Sequence, residues 1–265
     1  MNVGFALLLT TLAGLSTGIG SSIAYFIGRP KYSYLAVLLG FSAGVMVYIS
    51  FAELLKTAVE QVGFATANLG FFIGMAFIAA VDLLVPHQYE EEQAGIVAHI
   101  GNGSRELAPA RKSSILARAG LFTAIGIAIH NFPEGLVTFS SAATGEMALG
   151  ITVATAIAIH NIPEGIAVSV PIFYATGSRR KAFLFSFSSG LAEPVGALIG
   201  YAILLPFLTP TLLFSLLAFV AGIMIYISLD ELLPLAHKYG REHLVILGTG
   251  AGMVVMAMSL LLLRG

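Results

Sequence analysis

Eight stretches of mostly apolar residues, parted by short polar or charged interruptions, run at about 3–27, 34–55, 63–86, 115–141, 148–174, 181–206, 211–234 and 244–263. Each reaches the roughly 20 residues that a membrane-spanning helix needs. The pattern predicts an all-α polytopic membrane protein of eight helices, α1–α8 in chain order. Composition agrees. With 57% hydrophobic and 10% charged residues among 265, one or two water-soluble domains are ruled out, and a single transmembrane domain over 1–265 is expected. One connection is long: 86–113 carries Glu90, Glu91 and Glu92 with Gly101, Gly103 and Pro109. It is expected to be a flexible cytoplasmic loop between α3 and α4.

Charge sets the expected orientation. With the N-terminus outside, the inner loops hold eleven basic residues: Arg29, Lys31, Arg105, Arg111, Lys112, Arg118, Arg179, Arg180, Lys181, Lys238 and Arg241. Only Lys56 and Arg264 fall outside. By the positive-inside rule both termini are extracytoplasmic, in a multi-pass protein of the cell (inner) membrane. Met1-Asn2-Val3 carries no basic leading region, so no signal peptide is expected. Cysteine is absent, which excludes disulfides and thiolate metal sites and leaves nitrogen and oxygen donors.

Two repeats organise the helices. Phe41 to Leu55 of α2 returns as Phe219 to Leu233 of α7, with ten of fifteen positions identical. Gly70, Gly74 and Met75 of α3 match Gly248, Gly252 and Met253 of α8, and Gly14 and Gly20 of α1 match Gly190 and Gly196 of α6. Helices α1–α3 and α6–α8 thus form one repeat around a central pair. Equivalent helices lie five apart, an odd number, so the halves are inverted, as in secondary transporters with a midplane site.

The central pair carries its own repeat. Ile129-His130-Asn131-Phe132-Pro133-Glu134-Gly135 in α4 recurs as Ile159-His160-Asn161-Ile162-Pro163-Glu164-Gly165 in α5. His130 and Glu134, like His160 and Glu164, are four apart and share a helix face. An imidazole and a carboxylate from each helix make four convergent metal ligands. Each proline frees the carbonyl four residues back, Ile129 or Ile159, and breaks the helix beside the ligands. Each following glycine lets another backbone approach. Ionisable groups at this depth cost on the order of 3 kcal/mol each, which favours a functional reading over packing. Glu193-Pro194 in α6 lies at the same depth and gives a third broken helix. Glu53 is expected near the outer end of α2. Its repeat equivalent Glu231, beside Asp230, belongs at the inner end of α7. Asp82, near the inner end of α3, reads equally as a helix-end anchor or a functional group. His87, His99, His237 and His243 read as solvated loop histidines, with metal binding as the alternative, and Met46 and Met224 as packing residues.

The doubled His-Asn-x-Pro-Glu-Gly motif, eight spans and a long loop after α3 resemble the ZIP (Zrt/Irt-like) divalent metal transporters, most of all their bacterial ZupT-type branch. The resemblance runs from Gly14 to α8. It implies a 3+2+3 helical bundle with a binuclear midplane site. His130, Glu134, His160 and Glu164 would form one metal position; Asn131, Asn161 and Glu193, sharing Glu134 and Glu164, would form the other. Glu53 would match the family's ligand position on the second helix. Family members commonly form homodimers, and α1, α4, α5 and α6 would move against α2, α3, α7 and α8.

The function expected is import of a divalent transition metal by a secondary transporter. Zinc leads, with iron, cobalt, manganese and cadmium as further cargo, because nitrogen and oxygen donors alone do not select the ion. Entry would pass Glu53, and exit would pass Asp230 and Glu231. Protons and metal would compete for the midplane carboxylates. The lipid bilayer and the ions are the expected partners, with no nucleic acid, and the metal is cargo rather than cofactor. An intramembrane di-metal oxygenase or hydrolase is the alternative, and a metal-sensing receptor a weaker one. Di-iron carboxylate bundles space Glu and His three apart, against four here, and HExxH is absent. Neither a P-loop nor a nucleophile triad is present.

Overall fold

The computed structural model describes residues 3–28, 31–84, 109–143, 147–204, 209–239 and 242–264. Eight helices are long and apolar enough to cross a membrane: α1 Val3–Phe26, α2 Tyr32–Val62, α3 Phe64–Leu83, α4 Ile115–Ala143, α5 Gly150–Thr176, α6 Arg179–Ile203, α7 Pro210–Tyr239 and α8 Glu242–Leu263. No strand occurs among the described residues. The chain is a multi-pass, all-α membrane protein.

Three boundaries differ from the apolar pattern. Helix α2 continues past 55 to Val62, where Gly63 turns the chain with φ 81°, and α7 continues past 234 to Tyr239. These extensions contain Lys56, Glu60, His237 and Lys238, which read as loop by polarity. A helix leaving the apolar layer keeps its backbone bonds while its side chains turn polar; Lys56 Nζ and Glu60 Oε1 form an i,i+4 pair at 3.7 Å. The helix containing α4 starts at Pro109, a residue suited to the first helical position, so 109–113 is helical rather than loop. The rest of the expected loop, with His87 and His99, lies outside the described residues.

The prolines act differently from expectation. Helices α4 and α5 run uninterrupted through Pro133 and Pro163, while α6 is interrupted at Leu191, three residues before Pro194. Helices α2 and α7 each contain a π-helical segment, Ser50–Leu55 and Ile227–Leu232, at matching repeat positions. In each a serine hydroxyl donates to the carbonyl four residues back: Ser50 to Met46 O and Ser228 to Met224 O, both at 2.7 Å. Such wide turns recur at functional sites, and these two hold Glu53 and the Asp230–Glu231 pair.

Packing follows the repeats. Helix α2 lies on α8 and α3 on α7; α1 lies on α5 and α6 on α4; α4 and α5 lie together at the centre. Glycines make the close approaches, and they come in matched sets. Gly44 meets the backbone of Thr249, and its equivalent Gly222 meets that of Phe71. Gly20 meets Ile162 and Gly196 meets Phe132; Gly165 meets Thr17 and Gly135 meets Glu193. A pseudo-twofold relation therefore exchanges α1 with α6, α2 with α7, α3 with α8 and α4 with α5. At one end of the bundle Arg179 caps the exposed carbonyls of α1, Nε donating to Ala24 O (3.3 Å) and Nη2 to Ile27 O (3.0 Å). A side-chain bond ties α2 to the central pair: Ser42 Oγ donates to Pro163 O at 2.8 Å.

Candidate metal centre

Helices α4 and α5 present their motifs to each other. The glycine at the end of each motif sets the depth of the seam, Gly135 on α6 and Gly165 on α1. His130, Asn131, Glu134, His160, Asn161, Glu164 and Glu193 are all buried. The pairing is crossed. His130 Nε2 lies 2.8 Å from Glu164 Oε1, and His160 Nε2 lies 3.3 Å from Glu134 Oε1. Sequence spacing placed each histidine beside the glutamate of its own helix; the helix-helix interface instead joins it to the partner's. Donor atoms of His130, Glu134 and Glu164 all lie within 4.8 Å of one another, close enough for one cation.

The two histidines are held differently. His160 Nδ1 donates to Ala156 O at 3.2 Å, because a carbonyl can only accept. That leaves Nε2 free to ligate, as in metal sites whose histidines are oriented by a backbone carbonyl. His130 Nδ1 has no partner among the described residues.

The asparagines extend the site. Asn161 Nδ2 donates to Glu193 Oε2 (2.8 Å) and to Ala13 O (2.9 Å), bringing α1, α5 and α6 together. One orientation of Asn131 satisfies its amide, and the other leaves its oxygen facing acceptors only. With its NH2 toward the centre it donates to Glu164 Oε2 (3.3 Å) and Ile127 O (3.2 Å) and lies 3.0 Å from His130 Nε2. Turned over, it donates to Ser189 O (3.4 Å) and offers its oxygen inward. The first orientation suits an empty cage and the second a cage holding a cation. Glu193 lies close enough to Glu134 and Glu164 for their charges to interact, and Thr138 also bonds to it.

Unfilled acceptors test whether the site fits a metal. Glu134 Oε2, Glu193 Oε1 and Asn161 Oδ1 are buried with no hydrogen-bond partner among the described residues. Buried polar atoms are normally paired, and a cluster of orphaned oxygens beside two imidazoles is chemistry that a divalent cation completes. The donor set fits.

The remaining candidates lie elsewhere. Glu53 is partly exposed in the π-helical segment of α2 and Asp230 is exposed on α7, while Glu231 is buried. Asp82, one of the open readings, is joined to the α7 group: Tyr226 OH donates to its Oδ2 at 3.0 Å, and it interacts electrostatically with Glu231, as do Asp230 and Lys238. His237 and His243 are exposed, the former bonded through Nδ1 to Leu233 O at 2.8 Å. Sequence reasoning missed Thr138, Ser189 and Ser42. Small polar residues scattered on apolar helices carry no distinguishing pattern.

Comparison with known proteins points one way. The model of the ZIP zinc transporter family matches residues 85–260. The chain is 53% identical to the zinc transporter ZupT of Nitratidesulfovibrio vulgaris over 271 residues, covering 98% of each protein. It is 52% identical to that of Clostridium perfringens, covering 98% of this chain and 96% of the relative. With the Streptococcus mutans protein of the same name identity is 48%, covering 97% of each.

Proposed function

The chain belongs to the ZIP zinc transporter family, and from that premise we propose that it imports zinc into the cytoplasm through the centre between α4 and α5. Members of the family are transporters, so the di-metal enzyme alternative is not favoured and the chain is no enzyme. The observation that carries the reading is the crossed pair of buried His–Glu contacts with orphaned carboxylate and amide oxygens beside them.

In this reading His130, Glu134, His160 and Glu164 hold one ion. Asn131, Asn161 and Glu193 hold a second, with Glu134 and Glu164 bridging. In the empty cage the carboxylates bond to the imidazoles opposite. An arriving ion exchanges its water for these groups and breaks their mutual contacts. That exchange keeps net affinity moderate, as conduction demands: favourable enough to enter, weak enough to leave. Asn131 turns its oxygen inward as the ion arrives. The His160 ring, already oriented by Ala156, needs only to release its contact with Glu134. Protons occupy the same lone pairs and compete.

Iron, cobalt, manganese and cadmium are accepted by the same donors. Entry passes Glu53 from outside, and exit passes Asp230 and Glu231. The protein sits in the inner membrane as a homodimer with both termini extracytoplasmic, and the connection between α3 and Pro109 serves as a cytoplasmic loop of one transmembrane domain. The test is uptake of a panel of divalent metals into proteoliposomes containing the purified chain. Zinc entering down its gradient is expected. Absence of flux for every metal, or metal-dependent turnover of a substrate without flux, overturns the reading.

A further inference from the structure

The central pair does not sit evenly between the helices that flank it. The pseudo-twofold relation matches the seam of α5 with α2 to the seam of α4 with α7, yet α5 packs more closely on α2 than α4 does on α7. Where α4 faces α7 an apolar groove of about 520 Å³ remains, lined by Ala128, Phe132 and Pro133 of α4, Phe219 of α7 and Phe77 of α3.

On the other side α5 is tied to α2 at two levels. At the depth of the metal centre Ser42 Oγ donates to Pro163 O at 2.8 Å. Just before α2, the OH of Tyr174 donates to Lys31 O at 2.7 Å and accepts from Lys31 N at 3.1 Å. The choice made by Ser42 is notable for its helix. Ser50 donates to the carbonyl four residues back, the ordinary resting place of a hydroxyl on an apolar helix, whereas Ser42 reaches across to α5. The repeat does not copy this bond. Pro163 matches Pro133, but Ser42 matches Val220, which is just as buried and carries no hydroxyl.

Inverted repeats let a transporter alternate between two states by rocking one bundle against the other. The exchanged state seats α4 on α7, closes the groove and draws α5 away from α2. Its apolar contacts come from matched residues, Phe219 for Phe41, Ala128 for Ala158 and Pro133 for Pro163, so they weigh alike in both states. The Ser42 hydroxyl weighs in one only. We propose that Ser42 is a one-sided latch, its bond to Pro163 holding the central pair against α2 and biasing the protein toward the state described here. The latch rests on the transport reading above. One hydrogen bond of this kind shifts a two-state ratio roughly two- to tenfold. Its acceptor is a backbone carbonyl and not a ligand, so the latch sets the balance of states and leaves the choice of ion alone.

The test uses the full chain in proteoliposomes, where the absence of native cysteine allows two introduced pairs to be oxidised with copper phenanthroline. Ala128→Cys with Phe219→Cys joins the two walls of the groove, and Ala158→Cys with Phe41→Cys is its match on the α2 side. Ser42→Ala should speed disulfide formation across the groove roughly two- to tenfold, without speeding the matched pair, and should keep the wild-type ratio of zinc to manganese uptake. Val220→Thr keeps the shape of valine and offers Pro133 O a hydroxyl in the exchanged state, so it should speed the groove pair as well. An unchanged groove pair in Ser42→Ala overturns the proposal. Faster reaction of both pairs, which would mean loosened packing, overturns it too, as does a changed metal ratio. If Ser42→Ala fails to fold, Val220→Thr decides, and no effect on the groove pair there overturns the latch. Absence of flux in the wild type would strike the transport reading instead, since cross-linking is read without flux.

Discussion

Substituting Gly135→Ala tests how tightly the metal centre depends on the seam between α4 and α6. A methyl group there would lie 2.8 Å from the carbonyl carbon of Glu193 and 3.1 Å from its Cα, with the carbonyl oxygen nearer still. Ordinary contact begins at 3.4 Å, and the obstacle is backbone, which has no rotamer to give. Relief requires α6 to shift on the order of 1 Å, the scale of misplacement that costs a positioned site roughly a hundredfold. The same shift stretches the 2.8 Å bond from Asn161 to Glu193. Overpacking of this kind costs about 1–3 kcal/mol in stability. The variant should therefore reach the membrane folded, unfold at a lower temperature, and lose one to two orders of magnitude in zinc uptake efficiency. Gly165→Ala should behave alike, because its methyl group would strike Thr17 of α1. Gly250→Ala is the control: nothing lies within 4 Å of that position, so uptake should be unchanged. Stability there should rise by about 0.5–1 kcal/mol through helix propensity. Wild-type rate and KM in Gly135→Ala would show that the close crossing does not position the centre.

Glu134→Ala and Glu164→Ala should abolish uptake in protein that still reaches the membrane, and His130→Ala and His160→Ala should be nearly as severe; Glu193→Gln should change metal preference more than maximal rate, read across zinc, iron, cobalt and manganese. Because the chain has no cysteine, Glu53→Cys and Glu231→Cys can be probed directly with a membrane-impermeant thiol reagent. Label should reach position 53 from outside and position 231 only from the cytoplasm; labelling of both from one side would refute the inverted roles. Metal affinity should fall as pH drops from about 8 to about 5, since protons take the lone pairs that ligate the ion. A flat profile would refute the competition.

Much of this was legible in the chain because membrane helices are long and their ionisable residues rare. Eight apolar runs announce eight helices, and His130, Glu134, His160 and Glu164 stand out against apolar neighbours. The expected close approach at Gly135 and Gly165 is present. The crossed pairing was not legible, because it depends on the relative rotation of α4 and α5, which helix period alone does not determine. The ends of α2 and α7 were missed for a related reason. Hydropathy marks where the apolar layer stops, whereas a helix stops where its hydrogen bonds do, here at Gly63 and Tyr239. The π-helical segments have no sequence mark beyond Ser50 and Ser228, and serine occurs in many ordinary turns.

The interleaving of the two halves has a consequence for how the molecule comes into being. Helix α2 scarcely touches α1, and its main neighbours are α7 and α8, the last to be synthesised; α3 likewise waits for α7. During translation the glycine faces of α2 and α3, Gly40, Gly44, Gly70 and Gly74, stand against lipid until residues 215–252 arrive. A chain truncated before α7 would keep α1, α4, α5 and α6 packed together but leave α2 and α3 without their main partners. Assembly thus closes in one late step, when α7 and α8 slot into place.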